Sequence, residues 1–206
     1  RPDVKKELSV LLRPQVLSAL LTTVLGAGAM FTLYTYISPV LNTLTHASSL
    51  FITAMLVLIG VGFSLGNYLG GKFADRSVSG TLKGFLLLLM AIMLAIPLLA
   101  QSQAGAAISM IVWGVAVSGI FVGFQTWVLR MAEDKAFPAS AIYVSFFNTA
   151  IGIGASVGAW MVSAFSMPLL YIVAGTAIGL SVLLVAVIPA TLTAKQSPLE
   201  KSYESN

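Results

Sequence analysis

Apolar and polar positions alternate along this chain in long blocks. Six apolar runs each contain roughly the 20 residues that a helix needs to cross a lipid bilayer. They cover residues 16–40, 50–69, 82–100, 106–129, 141–165 and 169–187, and short polar segments separate them. The pattern predicts an all-α polytopic membrane protein, with a transmembrane domain at 15–190, a lead-in at 1–14 and a tail at 191–206.

The first apolar run contains both glycine and proline, which weaken a helix. Gly26 and Gly28 lie near its middle, and Pro39 lies near its end. Because glycine weakens a helix interior and proline removes a backbone hydrogen bond, this helix is expected to bend.

Small residues at a spacing of four recur in two of the runs. Gly62, Gly66 and Gly70 of the second run stack on one helix face, which lets a neighbouring helix approach closely in lipid. The fifth run repeats the spacing with Ala150, Gly154 and Gly158. Since the first and fourth runs share glycines and aromatics and the third and sixth are plainly aliphatic, the pattern predicts two three-helix inverted repeats.

Composition and charge placement agree with a membrane protein. The chain is 58% hydrophobic and 9% charged, whereas soluble domains carry about 25% charged residues. It contains no cysteine, so no disulfide or thiol site is expected. With six spans, one side of the membrane receives all eleven basic residues: Arg1, Lys5, Lys6, Arg13, Lys72, Arg76, Lys83, Arg130, Lys135, Lys195 and Lys201. The positive-inside rule therefore predicts that both termini are cytoplasmic, and the net charge of +4 indicates topology rather than binding to nucleic acid.

The apolar runs lack the groups that membrane enzymes and proton relays use. The acidic residues lie at the cytoplasmic edge or outside the runs: Asp3, Glu7, Asp75, Glu133, Asp134, Glu200 and Glu204. The single histidine, His46, lies in an outer loop. An intramembrane hydrolase needs a nucleophile with its base, or a metal cluster. The sequence therefore predicts no enzyme, no cofactor and no metal site, and no buried coupling acid for proton-driven transport.

Uncharged polar and aromatic residues are the candidates for solute contact. They cluster on the first, fourth and fifth runs, and the seven selected are Tyr34, Tyr36, Asn42, Trp113, Gln125, Tyr143 and Asn148. Two interpretations remain open for each one: a hydrogen bond that holds the helix bundle together, or a place on the wall of a cavity. Donors and acceptors without charge suit a neutral polyol or an amphiphilic drug.

One short segment is similar to a known family. The segment GGKFADR at 70–76 resembles the charged turn of the major facilitator superfamily, with its G-x-x-x-D-R core at Gly71, Asp75 and Arg76. The bases that usually follow are replaced by Val78–Ser79–Gly80, and Lys83 is the nearest later base. With LLRPQVLSALLTTVLG, FTLYTYISPVL and FFNTAIGIGASVGA, residues 11–187 resemble the second six-helix half of a bacterial drug/sugar efflux permease of the arabinose-efflux type.

The resemblance implies a function and a location. It implies an inner-membrane antiporter that exports a sugar, drug or other small molecule by alternating access, with the missing first six-helix half as partner. It also implies that Gly71, Asp75 and Arg76 form a cytoplasmic gate latch, although a charged turn that only anchors topology is the alternative. A six-helix membrane scaffold or fragment without transport activity is the alternative for the whole chain.

Overall fold

The computed structural model describes residues 14–45, 48–132, 136–165 and 167–187. These residues form helices without strands, as the sequence predicts: α1 (Pro14–Tyr34), α2 (Ile37–Thr45), α3 (Ser49–Ala74), α4 (Val78–Leu99), α5 (Gln103–Ala132), α6 (Ala136–Ala164) and α7 (Met167–Val187). Most of the predicted lead-in, the predicted tail and His46 lie outside the described residues. Six segments are long and apolar enough to cross a membrane, and α1 with the start of α2 makes the first of them.

The first span is broken, but the break is not at its glycines. Helix α1 continues through Gly26 and Gly28, and the chain turns at residues 35–36 before α2 begins. Pro39 is the third residue of α2, in a first turn where the proline nitrogen is not required as a hydrogen-bond donor. The proline therefore fits the start of a new helix instead of bending the old one.

The two glycines of α1 are points of close contact with other helices. A Cβ at Gly26 would lie 3.2 Å from the Phe124 ring of α5, and one at Gly28 would lie 3.6 Å from the carbonyl oxygen of Ala150 on α6. Their small size is therefore used for packing, which explains why the helix stays continuous there.

Helix packing follows the predicted repeat. The two most extensive pairs are α3 with α5 and α1 with α6, followed by α4 with α5 and, to similar extents, α4 with α7 and α1 with α7. The pairs correspond when spans one to three are matched in order with spans four to six. The α3–α5 pair then matches α1–α6, the α4–α5 pair matches α1–α7, and the α4–α7 pair matches itself. Because each repeat has three spans, an odd number, the second repeat crosses the membrane in the opposite sense to the first.

The small-residue strips form the centres of the two closest pairs. Gly62 and Gly66 of α3 lie against the backbone of α5 around Gly114 and Val115, so closely that an added Cβ would overlap main-chain atoms. On α6, Gly154 faces the backbone of Gly28 in the same way. The Thr32 hydroxyl of α1 adds a contact of 2.9 Å to the Gly154 carbonyl oxygen. These pairs hold the four helices that surround the cleft described next.

Candidate solute-binding cleft

An open cleft of about 740 Å³ lies between α1, α3, α5 and α6. Helix α3 contributes Phe63, Ser64, Asn67 and Tyr68 to its wall. Helix α5 contributes Val117, Ser118 and Phe121, whereas α1 and α6 contribute one phenylalanine each, Phe31 and Phe147. Among the described residues, those that line this cleft are aromatic, apolar or neutral and polar, and the Lys72 ammonium lies over the ring of one of them, Tyr68, at 5.9 Å.

Three of the four polar side chains in the cleft form no hydrogen bond inside the described chain. Ser64 donates to the carbonyl oxygen of Gly60 in its own helix, at 3.2 Å. The side-chain amide of Asn67 and the hydroxyls of Tyr68 and Ser118, in contrast, form no hydrogen bond with any other described residue. A polar group in a membrane protein needs water or another partner, so these three are available to water or to a solute in the cleft.

Phenylalanine rings from three helices form one side of the cleft. Phe147 packs edge-on against Phe121, with ring centroids 4.9 Å apart, and against Phe31 at 5.8 Å. Edge-to-face contacts of this kind are favourable and fix the rings relative to one another. The result is an aromatic surface built by α1, α5 and α6, in the same cleft to which α3 contributes Asn67 and Tyr68.

Tyr34 and Trp113, two of the seven residues selected from the sequence, form a stack beside the cleft. Their rings are nearly parallel, with centroids 5.5 Å apart, and Trp113 also contacts Phe63. Trp113 is 0% exposed and its indole nitrogen has no hydrogen-bond partner in the described chain, whereas Tyr34 is 38% exposed. Tyr34 covers the tryptophan, so in this conformation only Tyr34 is accessible.

The other five selected residues have different surroundings. Tyr143 is 0% exposed and donates from its hydroxyl to the Phe121 carbonyl oxygen at 3.1 Å, which joins α6 to α5 behind the aromatic surface. Asn148 is exposed on α6 and donates to the Val144 carbonyl oxygen. The remaining three lie elsewhere: Tyr36 is half-buried against α6, Gln125 is half-buried on α5, and Asn42 is exposed on α2. None of the seven selected residues is among those that line the cleft.

Helix phase could have indicated one part of the lining, the face of α3 that carries Ser64 and Tyr68, but not the residues that the other helices add. On α3, Ser64 and Tyr68 are each about 200° around the helix axis from Gly66, at 3.6 residues per turn. Since the glycine strip packs on α5, the opposite face of α3 had to lie outside that contact. The seven candidates for solute contact all lie on the first, fourth and fifth runs. The polar face of the second run, with Ser64, Asn67 and Tyr68, was not among them.

The charged segment at residues 70–76 covers the end of α3 and the start of its connection to α4. It lies at one end of the helices that surround the cleft. Helix α3 includes Lys72 and ends at Ala74; Asp75 is its C-cap and is exposed. The Ser77 hydroxyl accepts from the Gly80 N–H at 3.1 Å and so begins α4. Arg130, in the last turn of α5, donates to the Ala74 carbonyl oxygen at 3.2 Å. This bond satisfies a terminal carbonyl of α3 and ties the α3–α5 pair together at its end.

Similarity to known proteins agrees with this architecture. The sequence profile of the Major Facilitator Superfamily matches residues 1–138. Over 164 residues the chain is 65% identical to the "Inner membrane transport protein YdhP" of Escherichia coli (strain K12), and equally to the protein of the same name in Escherichia coli O157:H7. Each alignment covers 80% of this chain but 42% of the relative, so the chain spans less than half the length of these proteins. By the extent of both matches, the chain belongs to the Major Facilitator Superfamily.

Proposed function

We propose that this chain is one half of a secondary transporter that exports a small uncharged or amphiphilic solute by alternating access. The observation that carries the proposal is the group of unpartnered polar side chains, Asn67, Tyr68 and Ser118, beside an aromatic surface in an open cleft lined by uncharged residues. Sites for small molecules combine apolar walls with a few placed polar groups. Stacking on the rings would hold the apolar part of the solute, and the amide and hydroxyls would orient its polar part.

The other half of the transporter is a second six-helix domain that faces α3 and α6. Helix α6 exposes Ser145, Asn148, Thr149 and Ser156 along one side, and α3 exposes Ser64, Asn67 and Tyr68. Polar helix faces are unfavourable against hydrocarbon, so they require protein or water. The large exposed side chains of α4 and α7 are aliphatic, for example Leu94 and Leu183, which suits contact with lipid.

The orientation and the gate follow from the same scheme. We place the α3–α4 connection in the cytoplasm, because the basic residues fall on that side of a six-span chain. There Gly71, Asp75 and Arg76 are placed at the cytoplasmic gate, with the Asp75 carboxylate contacting the first half when the cavity is closed to the cytoplasm. Export then requires release of this contact to load solute from inside.

The cleft is tested by transport in proteoliposomes with the full-length protein that carries this chain. Neutral sugars and neutral amphiphilic dyes are screened for efflux, and Asn67→Ala is then compared with the unchanged protein for each transported solute. Loss of one direct hydrogen bond is worth about 1 kcal/mol, so we expect KM to rise roughly fivefold with little change in melting temperature.

Thr176→Ala on α7 is the matched control. Thr176 is exposed, and its hydroxyl donates to the Ile172 carbonyl oxygen of its own helix, away from the cleft. An equal effect of both substitutions on KM would contradict a solute-binding role for Asn67. Absence of transport for every solute would favour a scaffold without transport activity.

A further inference from the structure

A second concave surface lies at the end of α3 and the beginning of α4, away from the cleft. It is a groove of about 350 Å³. Arg76 and Ser77 of the connection lie at one end of it, and Phe85 and Leu88 of α4 line its other end. The groove therefore changes from cationic and polar to fully apolar along α4.

The length of the groove matches one leaflet of a bilayer. From Ser77, the N-cap of α4, to Leu88 the helix rises roughly 16 Å at 1.5 Å per residue. The hydrocarbon core of a membrane is about 30 Å thick, so one leaflet contributes about 15 Å. A groove that starts at the charged connection and ends at Leu88 thus extends from the membrane surface to near the midplane.

Two glycines one turn apart make the floor of the groove. A Cβ at Gly84 would meet nothing within 4 Å, and one at Gly80 would meet only Ser77. Both glycines are exposed, and the exposed side chains of Phe73 and Leu88 flank them. The bare backbone leaves space at the surface of α4, and the groove lining from Gly84 to Leu88 is apolar; Lys83, next to Gly84, is half-buried and is not among the lining residues.

The mouth of the groove carries the Arg76 guanidinium, and the adjacent acid, Asp75, is exposed but is not among the residues that line the groove. Arg76 is exposed, and no carboxylate lines the groove. Lys72, on the preceding helix, is directed elsewhere, because its ammonium lies over the Tyr68 ring at 5.9 Å. A guanidinium at the membrane surface matches a phosphate in charge and in hydrogen-bond geometry.

We propose that the groove binds one anionic phospholipid of the adjoining leaflet, with its phosphate at Arg76 and an acyl chain across Gly80 and Gly84. This lipid site is separate from the solute cleft and does not depend on transport. The charge of Arg76 selects an anionic headgroup, and the glycine floor accepts the chain.

Native mass spectrometry of the delipidated full-length protein tests the site. Phosphatidylglycerol and phosphatidylcholine with identical acyl chains are titrated separately. We expect tighter binding of phosphatidylglycerol, and Arg76→Gln should weaken it about fivefold, the effect of one basic residue near an anionic lipid. Lys72→Gln removes the same charge outside the groove and should change the affinity less than twofold.

The acyl-chain seat is tested by filling it. Gly84→Leu should weaken both lipids, because the new side chain occupies the groove, and the structure predicts no steric clash from its Cβ. Ala186→Leu introduces the same leucine side chain at an exposed position of α7, at the same end of the bundle, and should leave both affinities unchanged.

Three results would overturn the proposal. These are equal binding of the two lipids, equal losses from Arg76→Gln and Lys72→Gln, and full lipid affinity in Gly84→Leu. Glycerol phosphate without acyl chains should not displace phosphatidylglycerol at matched concentration; displacement would show a site for free phosphate instead. None of these outcomes depends on whether the protein transports a solute.

Discussion

At the scale of single residues, most hydroxyl groups in these helices are satisfied locally. The hydroxyls of Thr22, Thr23 and Ser109 each donate to the carbonyl oxygen four residues earlier, as serine and threonine often do in membrane helices. Thr32 does the same and also reaches the neighbouring helix. A count of hydroxyls therefore does not locate a cavity.

Within the contact between α3 and α5, Gly66 is the position where side-chain size is most tightly restricted. A side chain there would overlap the backbone of Val115, which cannot move without separating α3 from α5. Overpacking in cores costs roughly 1–3 kcal/mol, and Gly66→Leu should lower the free energy of unfolding by at least that much. Thermal melting of the full-length protein in detergent, without added phospholipid, measures the effect.

Gly84→Leu is the control for Gly66→Leu, because it makes the same exchange where nothing lies within 4 Å of the new Cβ. Leucine also favours helix more than glycine does, by up to about 1 kcal/mol, so the control should melt at the same or a higher temperature. Equal destabilisation by the two substitutions would show that glycine content, and not the α3–α5 contact, determines stability.

At the scale of helices, the connection between α3 and α4 begins where α3 is held by another helix, and its first residue is an exposed acid, Asp75. Arg130 holds the end of α3 through the Ala74 carbonyl oxygen, so the position of Asp75 is set by the α3–α5 pair. The Asp75 side chain is exposed, and its charge is available to a partner outside the described residues. This geometry suits a latch that moves as one body with α3 and α5.

Asp75→Asn keeps the size of the side chain and removes its charge. If Asp75 holds the cytoplasmic gate, the variant should open inward more often, and a cysteine placed at Ser64 in the cleft should react faster with a cytoplasmic thiol reagent. Asp75→Glu retains the charge and should react at nearly the original rate. Unchanged reactivity and transport in Asp75→Asn would leave Asp75 as a topology anchor only.

At the scale of the whole molecule, the fold consists of two three-span units. Spans one to three form the first unit and spans four to six the second, and each unit makes the same kinds of contact with the other. The strip of Gly62, Gly66 and Gly70 on α3 corresponds to Ala150, Gly154 and Gly158 on α6, and each strip packs on the first helix of the other unit. The two units are thus held together by two equivalent contacts, α3 with α5 and α1 with α6. The third span of each unit, α4 or α7, packs on the outer side. Such an arrangement leaves one side of α3 and α6 open, where the cleft lies.

The proposed orientation of this fold in the membrane is testable by cysteine labelling. The 206 residues contain no cysteine and add no background. Cysteines at Ser49 and Gln103, both exposed at helix starts, should react with an impermeant thiol reagent added outside intact cells, and one at Lys72 only after lysis. Ser49 is used because the neighbouring Ser48 caps α3. The opposite labelling pattern would invert the proposed topology.

The sequence by itself determined the number of spans, their class and the helix faces that pack most closely. These properties depend on local quantities: the length of an apolar run, and small residues repeated every fourth position, as at Gly62, Gly66 and Gly70. The motif around Asp75 and Arg76 also indicated the family, because it is a contiguous segment.

Only the tertiary structure decided where the first span breaks and which polar residues share a cleft. The break at residues 35–36, the bond from Arg130 to Ala74 and the grouping of Asn67, Ser118 and Phe147 all depend on contacts between distant segments. The sequence does not distinguish a polar residue that faces a neighbouring helix from one that faces an open cleft. Tyr143 is an example of the first kind and Asn67 of the second. The relative rotation of the helices separates the two cases, and packing of all six spans sets that rotation.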